Sequence, residues 1–169
     1  MAAAMLAAPG LMFGSSGTSS AGQGDLGGKI THQLANLPYY GVFDVLSFQV
    51  DGGKVTLVGQ VTQPVVKEDA EQAVKRIPGV ETVVNQIEVL PLSRLDDQIR
   101  RKVYYAVYAY GPLERYALGS QPAIRIIVKN GNVTLIGAVA NAMDRETVFE
   151  RANMVPGVFS VKNRLSIEI

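Results

Sequence analysis

Side chains able to do acid–base, nucleophilic or metal chemistry are few in this sequence and are not grouped. The chain has one histidine, His32, and no cysteine, so zinc sites of the Cys type, thiolate nucleophiles and disulfides are excluded. His32 has no second His or Cys to share a metal and reads as a surface or packed helix residue. The acidic pairs Glu68-Asp69 and Asp96-Asp97 fall in the first turns of predicted helices, where the helix dipole favours negative charge. Gly22-Gln23-Gly24-Asp25-Leu26-Gly27 has the letters of a dinucleotide-binding fingerprint. No strand is predicted before it and no βαβ unit around it, so a phosphate cradle would lack its scaffold. Asn132-Val133-Thr134 has the letters of a glycosylation acceptor, but it falls at a predicted hairpin. With no nucleophile, base and orienting group together, the expectation is no enzyme, no cofactor and no metal.

One cluster stands out. Arg100, Arg101, Lys102, Tyr104, Tyr105, Tyr108, Arg115 and Tyr116 lie within 17 residues. Over 94–109, Leu95, Ile99, Val103, Ala106 and Val107 recur at helical spacing as a core stripe. Stepping 100° per residue puts Arg101, Tyr104, Tyr105 and Tyr108 on the far side. A ring with a polar tip suits a membrane–water or a protein interface, and cations suit anionic headgroups. Three readings follow for this face: it packs on neighbouring protein of the same chain, it meets a membrane surface, or it meets a protein partner.

The elements that position this helix come from an internal repeat. Val50 to Val61 aligns with Val128 to Val139 through the shared pattern Gly-x-Val-Thr-Leu-x-Gly-x-Val (53–61 and 131–139). The same offset of 78 maps Ile77-Pro78-Gly79-Val80 onto Val155-Pro156-Gly157-Val158, and Val83, Asn85 and Ile87 onto Val161, Asn163 and Leu165. Period-2 alternation around Asp51-Gly52-Gly53 and Asn130-Gly131 predicts a hairpin in each copy. Helical stripes follow at Ala70, Val74 and Ile77, and at Val148, Ala152 and Val155; each ends at Pro-Gly. Last strands are predicted over 81–90 and 159–169. A helix opens each copy, with Leu26, Ile30, Leu34 and Leu37 in the first. The predicted fold is α+β: two tandem αββαβ modules, each a three-stranded mixed sheet covered on one face by two helices. Leu26 aligns with Leu95 at an offset of 69, which implies a nine-residue insertion in the second copy near 110–123. The link at 90–93 is too short to hold the modules apart.

The expected divisions are an N-terminal segment 1–24, a first module 25–91 and a second 94–169. Of the 169 residues, 47% are hydrophobic and 18% charged, and mean hydropathy is +0.14, a composition able to build a core. Sixteen basic and 15 acidic side chains leave a net charge of +1, so no long-range field draws the molecule onto nucleic acid. No nucleic-acid partner is expected. Residues 1–28 contain no Lys or Arg, and their apolar part is broken by Pro9-Gly10. It is too short to span a bilayer. With Ser19-Ser20-Ala21 as a small-residue cleavage site, this reads either as a secretory signal lacking its basic opening or as a disordered tail.

The hairpin pattern, the following helix, Pro-Gly-Val and a strand with Val-x-Asn, repeated over 26–90 and 95–169, resemble the BON domain, named after bacterial osmotically induced and nodulation proteins. The resemblance implies a non-enzymatic, exported module, periplasmic or outer-membrane-associated, that binds anionic phospholipid surfaces or envelope proteins, with a role in envelope maintenance or osmotic stress. The missing N-terminal Cys departs from the lipidated members. A protein-interaction or chaperone-like module is the alternative. The residues expected to meet lipid or partner are Arg100, Arg101, Tyr104, Tyr105, Tyr108, Arg115 and Tyr116. Oligomeric state is not legible.

Overall fold

The computed structural model describes residues 21–118 and 121–168, with side chains from Leu26 onward. The element order is α1 (Ala21–Ala35), β1 (Val45–Asp51), β2 (Lys54–Val61), α2 (Pro64–Lys75) and β3 (Thr82–Val89), then α3 (Arg94–Tyr108), a 3-10 helix (Gly111–Ala117), β4 (Ile124–Lys129), β5 (Asn132–Val139), α4 (Ala142–Asn153) and β6 (Ser160–Ile167). The signal-or-tail reading of the N-terminus falls, up to residue 20, outside the described residues. α1 is already helical at Ala21, so the glycines of the fingerprint letters lie within a helix.

Each module is a three-stranded mixed sheet, ordered β1-β2-β3 and β4-β5-β6. The first pair is antiparallel and the second parallel, in matching register: Val55 lies opposite Val83, and Val133 opposite Val161. Asn130 and Gly131 both take positive φ, 52° and 75°, which a two-residue hairpin turn requires. In the middle of β2 and β5, Gly59 and Gly137 adopt φ of 143° and 137°, and a Cβ at either would lie 2.0 Å from the carbonyl oxygen of Val45 or Ala123. Only glycine lets the backbones approach so closely. The shared asparagine has an equally local cause. The amides of Asn85 and Asn163 donate to Lys67 O at 2.9 Å and Arg145 O at 3.1 Å, tying the last strand to the helix before it.

Both cores lie between a sheet and its own two helices. The first gathers Leu26, Ile30, Leu34, Val55, Leu57, Val61, Val66, Ala70, Val74 and Ile87. The second gathers Ile99, Val103, Val107, Ile124, Ile126, Val128, Leu135, Val148 and Ala152.

The opening helices match one turn away from where the leucines suggest. α1 and α3 have the same length and start 73 residues apart. Gly79 looks onto Leu26, and its counterpart Gly157 looks onto Ile99. Leu26 therefore corresponds to Ile99, not Leu95, and Leu95 is 70% exposed instead of in the core. The offset grows from 73 at the helix to 78 at the hairpin, so the insertion is five residues, not nine. Apolar stripes repeat at i, i+4, and a four-residue slip leaves the pattern intact. The lengthened connection forms the 3-10 helix, which drives Leu113 and Tyr116 into the second core.

The modules dock through β4. Along it, Arg125, Ile127 and Lys129 point away from α3. Arg125 reaches Gly41 O at 2.6 Å and lies over the Tyr40 ring at 4.5 Å. Lys129 pairs with Glu88 of β3 at 2.5 Å. Ile127 between them is 2% exposed, although its side chain belongs to neither core. Val42 and Phe43, from the loop at 36–44, pack against the second core.

Candidate functional site

α3 carries three lengthwise stripes, and the structure gives each a different neighbour. Ile99, Val103 and Val107 face the core. One residue on, Arg100, Tyr104 and Tyr108 form a second stripe about 100° round the helix. They turn to the edge of β4 instead of to water. The Tyr108 hydroxyl donates to Ile124 O at 2.5 Å, and Arg100 Nη2 donates to Val128 O at 2.7 Å. Between these, the Ile126 N–H donates to Val42 O at 2.9 Å. The ring of Tyr104 meets Phe43 edge-on at 6.2 Å and Tyr108 at 4.9 Å. Residues 124, 126 and 128 are the outward positions of an edge strand, and these contacts satisfy the carbonyls of 124 and 128 and the N–H of 126. Burial pushes the Tyr108 hydroxyl pKa up to about 12, against the opposing effects of its bond to Ile124 and the Arg125 charge.

These positions correct the outward face expected for Tyr108. Arg100 is 5% exposed and Tyr108 is in the core. A helical wheel gives roughly half the circumference to solvent, but here an edge strand and the neighbouring module wrap further round.

Arg115 and Tyr116 belong to the 3-10 helix. The buried Tyr116 hydroxyl accepts from Ala140 N–H at 2.9 Å and donates to Asp144 Oδ2 at 2.5 Å. Arg115, on the surface, also reaches Asp144. Burial opposes the Asp144 charge, yet the bonds from Tyr116, Arg115 and Asn141 outweigh it and hold the carboxyl below its ordinary value. This group secures the inserted connection.

The third stripe faces water: Leu95, Gln98, Arg101, Lys102 and Tyr105. Tyr105 is 66% exposed. Neither Arg101 nor Lys102 enters an ion pair among the described residues. Three more exposed apolar side chains are Leu92, two residues before α3, Met154 at the end of α4, and Phe159, the last 84% exposed. The Phe159 N–H donates to Gly131 O at 2.8 Å, and the Gly131 N–H donates to Asp96 Oδ1 at 2.8 Å, which places the Phe159 loop at the first turn of α3. Of the seven residues singled out from sequence, Arg101 and Tyr105 share the open face. Tyr104 is half covered by Phe43, Arg115 is exposed but paired, and Arg100, Tyr108 and Tyr116 are internal. Sequence reasoning passed over Leu92, Met154 and Phe159. The repeat held the signal: Met154 and Phe159 stand where the first copy has Arg76 and Glu81.

Among the described residues no group of three or more His, Asp or Glu could hold a metal, and His32 is exposed. The fold and this surface define a duplicated αββαβ module. The sequence profile of the BON domain matches residues 25–91 and 96–168, and the chain belongs to the BON-domain family as a tandem pair. No curated protein sequence matches it. Among solved structures it is similar to the C-terminal domain of CdsD, described as the structural protein of the type III secretion system of Chlamydia trachomatis. The identity is 14%, with 86% of this chain and 98% of that one covered, at a TM-score of 0.37. A second CdsD structure matches at 14% identity, covering 85% and 92% of the two chains, at a TM-score of 0.35. Scores this low carry no functional argument.

Proposed function

We propose that this chain is a non-enzymatic, exported module of the cell envelope, periplasmic or outer-membrane-associated, that docks on anionic phospholipid surfaces through the outer stripe of α3. The observation that carries this is the coincidence, on one exposed face, of two cations without an ion pair among the described residues with Leu95 and Tyr105, with the exposed Leu92 and the Phe159 loop near the first turn of the same helix. Arg101 and Lys102 supply attraction of about 1 kcal/mol each near an anionic leaflet. Tyr105 supplies an interfacial ring, and the leucines and Phe159 supply apolar area to insert. Among the described residues no helix is long and apolar enough to cross a membrane. A surface of this size acting by itself gives reversible binding. The export reading rests on the family and on the signal-like composition of the first residues.

Co-sedimentation with vesicles tests it. Binding to anionic vesicles should weaken with salt, and Arg101→Ala with Lys102→Ala should weaken it about thirtyfold, the equivalent of about 2 kcal/mol. Tyr105→Ala should weaken it further without unfolding the chain. Equal binding to neutral vesicles, or none to anionic ones, removes the lipid reading. Crosslinking through Tyr105 to a polypeptide in a periplasmic extract would then assign the face to a protein partner.

A further inference from the structure

The two sheets differ on the face that carries no helix. Side chains alternate along a strand, so the residues between the core positions of β4, β5 and β6 share the side away from α3 and α4. The register sets them in rows across the sheet: Arg125, Ile136 and Arg164 in one, Ile127, Thr134 and Lys162 in the next. Asn163, between Lys162 and Arg164, turns the opposite way and donates to Arg145 O of α4 at 3.1 Å. The three strands contain no Asp or Glu, and Glu168, just past β6, pairs with none of their cations. Arg125 is bonded only to neutral oxygens, Gly41 O and Gln121 Oε1, each at 2.6 Å. Lys162 and Arg164 are exposed, and neither enters an ion pair among the described residues. The first copy has Ser47, Val84 and Gln86 where the second has Arg125, Lys162 and Arg164. The uncompensated positive charge is therefore peculiar to the second sheet.

The molecule shows what this face accepts. The first module already covers its β4 side, with the Tyr40 ring on Arg125, Ile127 buried, and the carboxylate of Glu88 on Lys129 at 2.5 Å. The β6 side, continuous with that interface, is left open. We propose that the helix-free face of the second sheet is a docking surface for an acidic segment of a partner polypeptide, whose carboxylates pair with Lys162 and Arg164 as Glu88 pairs with Lys129. The two cations stand two residues apart on one strand, about 7 Å, so they take a pair of carboxylates at that spacing, while the half-buried Thr134 and Ile136 beside them form the floor. Complementary charge of this kind gives partner choice and a faster encounter more than tight binding. A lipid occupant fits less well, because no large apolar side chain on this face of the strands is exposed for insertion. A bilayer lying on the outer stripe of α3, across the sheet, would also leave Lys162 and Arg164 pointing away from it. The proposal is thus independent of the lipid reading.

The test uses the full chain and, as probe, a pentapeptide of alternating glutamate and threonine, with its glutamine analogue as control, titrated at low salt and followed by amide NMR. The glutamate peptide should shift the amides of Thr134, Ile136, Lys162 and Arg164, and the glutamine peptide should not. Lys162→Val with Arg164→Gln, which installs the residues of the first copy, should raise the Kd about tenfold and flatten its salt dependence. Circular dichroism should show the variant folded; if it is not, the single change Arg164→Glu decides, with the same expected loss. Arg101→Ala with Lys102→Ala should leave peptide binding unchanged, which separates this face from the outer stripe of α3. Equal shifts with the glutamine peptide, shifts confined to other strands, or an unchanged Kd in the folded variant would overturn the proposal. So would weaker sedimentation of the Lys162→Val, Arg164→Gln chain with anionic vesicles, which would give the face to lipid.

Discussion

Asp44 ties the loop that joins the modules to the first sheet, and its removal is the sharpest test of how they are held. Its buried carboxylate accepts from Gly41 N–H at 2.9 Å, Thr62 N–H at 2.6 Å and the Thr62 hydroxyl at 2.8 Å. Asp44→Ala leaves two backbone donors in a partly buried place without partners, at about 1–3 kcal/mol each, while the hydroxyl can turn to water. The expected loss is about 3–5 kcal/mol, a large share of the 5–15 kcal/mol typical of a domain. Asp44→Asn keeps an oxygen for Thr62 but sets an NH2 against the Gly41 N–H, for a loss of about 1–2 kcal/mol. Urea unfolding followed by circular dichroism measures both. The loop between Gly41 and Asp44 carries Val42, whose carbonyl receives the Ile126 N–H of the second module. Hydrogen exchange at Ile126 should therefore accelerate in Asp44→Ala, although the mutation lies in the other module. A loss below about 1 kcal/mol, or an Ile126 amide as protected as before in a destabilised variant, would refute the claim that this carboxylate couples the two.

Two further outcomes follow. Gly59→Ala or Gly137→Ala should prevent its own module from folding, because the added methyl would sit 2.0 Å from a carbonyl oxygen at a φ that L residues avoid; normal sheet dichroism in either would disprove the close approach. Asp144 has a depressed pKa, so its contribution to stability is complete above the ordinary carboxylate range and is lost as pH falls through the lowered native value. Tyr116→Phe should destabilise the second module by about 1–3 kcal/mol and flatten its acid unfolding profile, and an unchanged pH profile would argue against the hydroxyl's role.

The duplication was legible because its signals are local. Hairpin turns, mid-strand glycines, Pro-Gly stops and the Val-x-Asn strands are set by backbone geometry that one or a few neighbouring residues dictate. They recur at 78 residues because the same geometry is needed twice. The α+β class, the mixed sheets and most of both cores follow from periodicities of 2 and 3.6.

The surface of α3 was not legible in the same way. A sequence can say that Arg100, Tyr104 and Tyr108 are off the core stripe, but it cannot say that an edge strand and a neighbouring loop will cover that flank. The register of α1 against α3 was ambiguous because a stripe repeating every four residues matches itself after one turn. Asp44 and Tyr116 illustrate the same divide. In the first module Asp44 satisfies the Thr62 N–H, and in the second the Tyr116 hydroxyl satisfies the equivalent Ala140 N–H. Nothing in the one-dimensional alignment pairs those two residues. The order of elements and the inward faces were therefore determined by the sequence, through short-range sterics and hydrophobic period. Which outward faces stay open was decided only by the tertiary structure, because burial there depends on parts of the chain far apart in sequence.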